Sequence, residues 1–152
     1  MFPELITLGE TMVMFEAGSD GPLRYVHQFN KRHGGAESNV AIGVTRLGHS
    51  AGWISQVGDD ELGRFLVSAI RGEGVDTSRV TYNADYPTGL YIKERIREGS
   101  TQVYYYRKGS AASQLDVNAI DWDYIKQAKI VHLTGITPFL SQSCLKVVNR
   151  VV

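Results

Sequence analysis

The chain has 152 residues, of which 43% are hydrophobic and 21% charged, with sixteen Lys and Arg against sixteen Asp and Glu. That is enough apolar material for one compact domain with a core. The balanced charge supplies no global field for nucleic acid or an anionic membrane. Cys144 is the only cysteine, which excludes an internal disulfide and a cysteine-based zinc site. No apolar run approaches the roughly 20 residues that span a bilayer, and the start, Met1-Phe2-Pro3-Glu4, lacks the cationic and apolar regions of a secretory signal. A cytoplasmic location is the expectation.

The first apolar run, Leu5 to Leu8, predicts a strand ending at Gly9-Glu10, and Met12 to Phe15 a second. A turn cluster, Gly18-Ser19-Asp20-Gly21-Pro22, follows, and 24–29 is the expected partner strand. Gly34-Gly35 opens a helix whose apolar face is read from Val40, Val44 and Leu47, with Gly48 ending it. Residues 51–57 predict a buried strand. Leu62, Phe65, Leu66, Ala69 and Ile70 mark an amphipathic helix, with Asp59-Asp60-Glu61 capping and charging its first turn.

A strand near 79–82 precedes a hairpin with arms 89–96 and 101–107. Asp116 is expected to cap a helix running to about 128. Residues 129–134 predict a strand, and Ser141 starts a last helix. Strands alternating with helices mean an α/β fold with a mostly parallel sheet. The strands within 12–30 and 88–107 lack intervening helices and are expected to form a small antiparallel sheet. It would project as a lid near the carboxyl ends of the main strands, where ligands bind in such folds.

Two segments are candidates for chemistry. In His33-Gly34-Gly35-Ala36-Glu37-Ser38-Asn39 the glycines permit close backbone approach, and the helix start offers free N–H groups. Asn39 can both donate to and accept from a hydroxyl. The competing reading is a plain turn capped by Ser38 or Asn39. In Tyr104-Tyr105-Tyr106-Arg107-Lys108-Gly109-Ser110, Arg107 can grip a carboxylate by two parallel bonds. Simple cross-strand packing of the tyrosines competes equally, and base stacking is a minor third reading. The four histidines share no metal-ligand spacing, and His132 reads as a satisfied core residue. Lys93, Arg95 and Arg97 read as a solvated strand face.

Gly34-Gly35, Asn39, Ala41, Gly48 and Gly58 have the spacing of the amino-terminal signature of ribokinase-like (PfkB) carbohydrate kinases, and the chain resembles that family. The stretches Gly34 to Glu37, Val57 to Gly63, Thr88 to Tyr91, Tyr105 to Ala111 and Leu133 to Pro138 resemble its 2-keto-3-deoxygluconate kinase branch, the Ala36-Glu37 pair included. The resemblance implies ATP- and Mg²⁺-dependent phosphorylation of that sugar acid to 2-keto-3-deoxy-6-phosphogluconate. Gly34, Gly35, Tyr91, Tyr105 and Arg107 would hold the sugar acid, Arg107 at its carboxylate, with Glu10 and Asn39 near sugar hydroxyls.

The family's Gly-Ala-Gly-Asp motif, which supplies the general base and anion hole, does not occur in this sequence. Residues 1–152 are therefore expected to be the amino-terminal half of a kinase domain, inactive alone, with catalytic and nucleotide-binding residues in another half and no tightly bound cofactor. A homo-oligomer through the lid is also implied. The alternatives are a fructokinase or other sugar kinase, or a non-catalytic sugar-acid-binding or dimerisation module.

Register decides whether the proposed residues share a site. Tyr91 and Tyr105 can serve one ligand only on one face of the hairpin. A two-residue loop at Glu98-Gly99 would pair Tyr91 with Tyr106 instead. A three-residue loop from Arg97, or an equivalent odd count, is therefore expected.

Overall fold

The structure, a computed structural model, describes residues 2–152. Its main sheet has four parallel strands in the order β5-β4-β1-β8, formed by β1 (Leu5–Leu8), β4 (Ala51–Gly58), β5 (Val80–Asn83) and β8 (Ile130–His132). One core joins β1 and β4 to α1 (Ala36–Arg46) and α2 (Glu61–Gly72) through Trp53, Leu66, Val67 and Ile70. On the opposite face, Ile6, Leu8 and Ile54 pack against α3 (Trp122–Lys126), Leu115 and α4 (Gln142–Val151), which brings in Cys144 and Val147. Strands buried on both faces read as near-continuous apolar runs, which is why β1 and β4 are plain in the sequence.

The second sheet has the order β3-β2-β6-β7, from β2 (Met12–Ala17), β3 (Phe29–Gly34), β6 (Leu90–Arg97) and β7 (Ser100–Tyr106). It is mixed rather than antiparallel: β2–β3 and β6–β7 are antiparallel, and β2–β6 is parallel. Parallel neighbours need a crossover, and residues 35–89, with α1, β4, α2 and β5, provide it. The partner of β2 is 29–34, not 24–29, because Leu23–Tyr25 forms a 3-10 turn. Glu94 holds that turn: its carboxylate accepts from the Leu23 backbone N–H at 2.6 Å and from the Tyr104 hydroxyl at 2.8 Å.

Other boundaries move for identifiable reasons. The buried side of α1 is Glu37, Ser38, Ala41 and Ile42, while Val40 and Val44 are half-buried and Leu47 is 80% exposed. Two polar residues in the buried stripe disguised it. Asp116 makes a local turn through the Asn118 N–H, and Asp121 caps the short α3 instead. His132 is not a satisfied core residue: it is half-buried, and its buried Nε2 has no hydrogen-bond partner among the described residues. Asp60 and Ser141 cap α2 and α4 as expected, accepting from Gly63 and Cys144.

The hairpin reaches the required register by an unexpected route. Its loop is Glu98-Gly99, with Arg97 opposite Ser100, and Gly99 takes φ +75°. A bulge between Arg95 and Arg97 adds Ile96 as the extra residue. Tyr91 consequently faces Tyr105, as the shared-face argument requires, with ring centroids 5.7 Å apart.

Candidate functional site

The candidate residues converge where the two sheets meet. Strand β1 ends at Leu8; the carbonyl of the next residue, Gly9, accepts from the Trp53 indole at 3.0 Å, and the chain turns through Glu10 and Thr11 into β2. Strand β3 delivers Gly34-Gly35 to the start of α1. A Cβ on Gly34 would collide with the Tyr91 hydroxyl, and one on Gly35 with the Glu10 carbonyl and the Thr11 and Ser38 hydroxyls. Glycine at both positions lets β3, β6 and the β1–β2 turn close on one another. Thr11 donates to Ser38 at 2.8 Å beneath them.

Asn39 lies one turn into α1, its backbone N–H bonded to the Gly35 carbonyl at 2.9 Å. Its side chain is exposed. Tyr91 is half-buried and Tyr105 60% exposed on the shared face. Burial, then the neighbouring Tyr105 and Glu16, raise the Tyr91 phenol above its usual value, which keeps it a neutral hydroxyl.

Arg107 follows β7 and is not free. Its Nε and Nη2 both meet Glu10 Oε2, at 2.8 and 2.5 Å, and Ser110 donates to Glu10 Oε1 at 2.6 Å. The Glu10 side chain is 1% exposed and that of Arg107 26%. The structure brings Gly34 against Tyr91, Tyr91 against Tyr105, Gly35 against Glu10 and Glu10 against Arg107, while Asn39 joins them only through its helical backbone bond to Gly35. Arg107 and Lys108 also line an open cavity of about 480 Å³ with Gly135, Ile136, Phe139 and Leu140.

Three polar contacts that position the site were not legible in the sequence. Glu37, 1% exposed, accepts from Thr134 at 2.6 Å and Thr137 at 2.9 Å, tying α1 to the segment after β8. An acid in a first helical turn normally reads as a dipole partner, so nothing marked it as buried. Asp60 does more than cap. It accepts from the Thr88 N–H and hydroxyl, and Thr88 accepts from the Gly58 N–H, fixing the entry to β6. Burial pushes the Asp60 carboxyl up, but the Thr88 and Gly63 bonds outweigh it and hold the group below its ordinary value. The only advance signal for Ser110 was its place three residues after Arg107.

Among the described residues no group of three or more His, Cys, Asp or Glu side chains converges to hold a metal. No helix among the described residues is long and apolar enough to cross a membrane.

A parallel α/β sheet flanked by helices and carrying a mixed second sheet is a ribokinase-like fold. The chain belongs to the pfkB family of carbohydrate kinases, whose profile matches residues 3–151. It is similar to the 2-dehydro-3-deoxygluconokinase of Bacillus subtilis (strain 168), 49% identical over 139 residues covering 91% of this chain and 43% of that protein. The enzyme of the same name from Thermoproteus tenax is 42% identical over 148 residues, 96% of this chain and 46% of the relative. The chain thus spans less than half the length of these curated relatives. The crystal structure of a PfkB protein from Polaromonas sp. JS666 superposes with a TM-score of 0.94 at 40% identity, over 98% of this chain and half of that one. A ribokinase II from E. coli, solved with ATP and Mg²⁺, superposes at 0.89 with 25% identity, over 99% and 48%.

Proposed function

We propose that this chain is the sugar-binding part of a 2-keto-3-deoxygluconate kinase. The observation that carries the reading is the shared face of Tyr91 and Tyr105 on the hairpin whose end delivers Arg107, a residue that lines an open cavity. An arginine supplies the charge and planar fork that a sugar acid needs and a neutral sugar does not. Gly34 and Gly35 let β3, β6 and the β1–β2 turn close up beneath the ligand, Asn39 and the two phenols meet its hydroxyls, and Glu10 stands at the arginine.

Phosphoryl transfer depends mainly on holding the acceptor hydroxyl in line and stabilising charge. Residues 1–152 would hold and orient the acceptor and shield it from water. ATP with Mg²⁺ would supply the phosphoryl group, and the cytoplasm would be the setting. The half-identical relative named for this sugar acid supports the substrate class.

The test is calorimetric titration of the chain with 2-keto-3-deoxygluconate and with fructose, beside an assay of ADP release with ATP and Mg²⁺. Binding of the acid in preference to fructose, without turnover, is expected. Equal binding of both sugars would remove the sugar-acid assignment, and turnover above a blank would remove the division of labour. The hairpin exposes Tyr104, Tyr106 and Ile96, and this surface is proposed to pair two copies. Sedimentation of an Ile96→Lys variant as monomer, where the parent is a dimer, checks it. A monomeric parent would contradict it.

A further inference from the structure

Glu10 is an enclosed charge at the site, and its partners are protein groups. Its side chain is 1% exposed. A Cβ on Gly89 would collide with its Oε1, so the backbone of β6 closes over that oxygen. Oε1 accepts from Ser110 and Oε2 from Nε of Arg107, whose Nη2 stands in ion-pair contact with the same oxygen. The carboxylate is thus spent on two protein partners before any ligand arrives.

The same geometry determines what Arg107 can offer. A guanidinium presents two forked edges, Nε with Nη2 and Nη1 with Nη2. Glu10 occupies the first. Nη1 makes no hydrogen bond among the described residues, and the Arg107 side chain keeps 26% of its exposure. The second edge is therefore the one available to the cavity that Arg107 lines. A long, rotamer-rich side chain held by one edge loses little further freedom when the other is used.

We infer that Glu10 is a positioning residue: it locks Arg107 by the Nε/Nη2 edge so that the Nη1/Nη2 edge is presented to a ligand carboxylate, and it does not itself touch the sugar. This rests on the reading of Arg107 as the carboxylate partner. Specificity for an acid then belongs to the Glu10–Arg107–Ser110 unit. Ser110 fixes the carboxylate that fixes the arginine, and one guanidinium bridges two carboxylates.

The experiment is a double-mutant cycle on this chain with Glu10→Gln, Arg107→Ala and both together. The ligands are 2-keto-3-deoxygluconate and 3-deoxyfructose, which carries a hydroxymethyl group in place of the carboxylate. Each single variant should weaken the acid about tenfold or more and leave 3-deoxyfructose within about twofold. The double variant should bind the acid no more weakly than Arg107→Ala alone. A Glu10→Gln effect that adds in full to Arg107→Ala, or that is equal for both ligands, would make Glu10 a direct sugar ligand and overturn the inference.

If the parent does not prefer the acid and Arg107→Ala changes nothing, the carboxylate reading of Arg107 has failed. The positioning claim is then decided separately by the Arg107 Nε–H resonance in ¹⁵N spectra. It should exchange slowly in the parent and be averaged away in Glu10→Gln. Equal exchange in both contradicts the claim. Should Glu10→Gln not fold, Glu10→Asp, one methylene shorter, is read by the same criteria.

Discussion

The two sheets are held in different ways. The main sheet is fastened by apolar burial on both faces, with Ile6, Leu8, Trp53 and Leu66 wholly enclosed. The second sheet has only its inner end, around Val13, Phe15 and Leu90, in that core. Beyond it, polar anchors take over: Glu10 with Arg107 and Ser110, Asp60 with Thr88, and Glu94 with Leu23 and Tyr104. Apolar burial is non-directional and tolerates small shifts, whereas hydrogen bonds fix direction. A ligand-binding sheet held by directional contacts can be placed accurately while keeping its outer face open.

The largest expected effect lies in the main sheet. Trp53→Ala removes a fully buried indole and its bond to Gly9, and should cost about 3 to 5 kcal/mol in denaturant unfolding. A loss near zero would mean that the apolar core is not what fastens this sheet.

Asp60→Ala comes next. It removes a helix cap and the anchor of β6, and about 1 to 2 kcal/mol should be lost. The same residue predicts a pH dependence. Its folded value lies below the unfolded value of 3.8, so the unfolded chain binds its proton first as pH falls. The stabilisation is present above 3.8 and disappears as pH drops through the lower folded value. Asp60→Asn should flatten that acid limb of a stability profile, and an unchanged limb would contradict the role of this carboxylate.

The smallest effect is at the hairpin tip. Gly99 takes φ +75° with open space around it, so Gly99→Ala should cost about 1 kcal/mol from backbone strain alone. A larger loss, with exchange spreading to Tyr91 and Tyr105, would show that the tip sets the register rather than the Ile96 bulge.

The contrast also explains what the sequence revealed. Strands β1 and β4 and helix α2 follow apolar periodicity, so burial announced them. The pairing of Tyr91 with Tyr105 followed from side-chain alternation and the need for an odd count, although the odd residue proved to be a bulge at Ile96. The parallel β2–β6 contact was hidden because its crossover is the main domain itself. Glu37 and Asp60 carry ordinary first-turn and capping signatures, and their second partners, Thr134, Thr137 and Thr88, come from distant segments. Nothing local in a sequence encodes such pairs. Arg107 was legible as a cation beside tyrosines, but its prior engagement by Glu10 required the fold.

The central claim is that the junction of the two sheets binds a sugar acid. Amide exchange of the chain with and without 2-keto-3-deoxygluconate tests it most directly. Protection should concentrate in segments 34–39, 89–91 and 105–110, be reduced in Arg107→Lys, and be absent with fructose at the same concentration. Protection elsewhere, or an identical pattern with fructose, would contradict it.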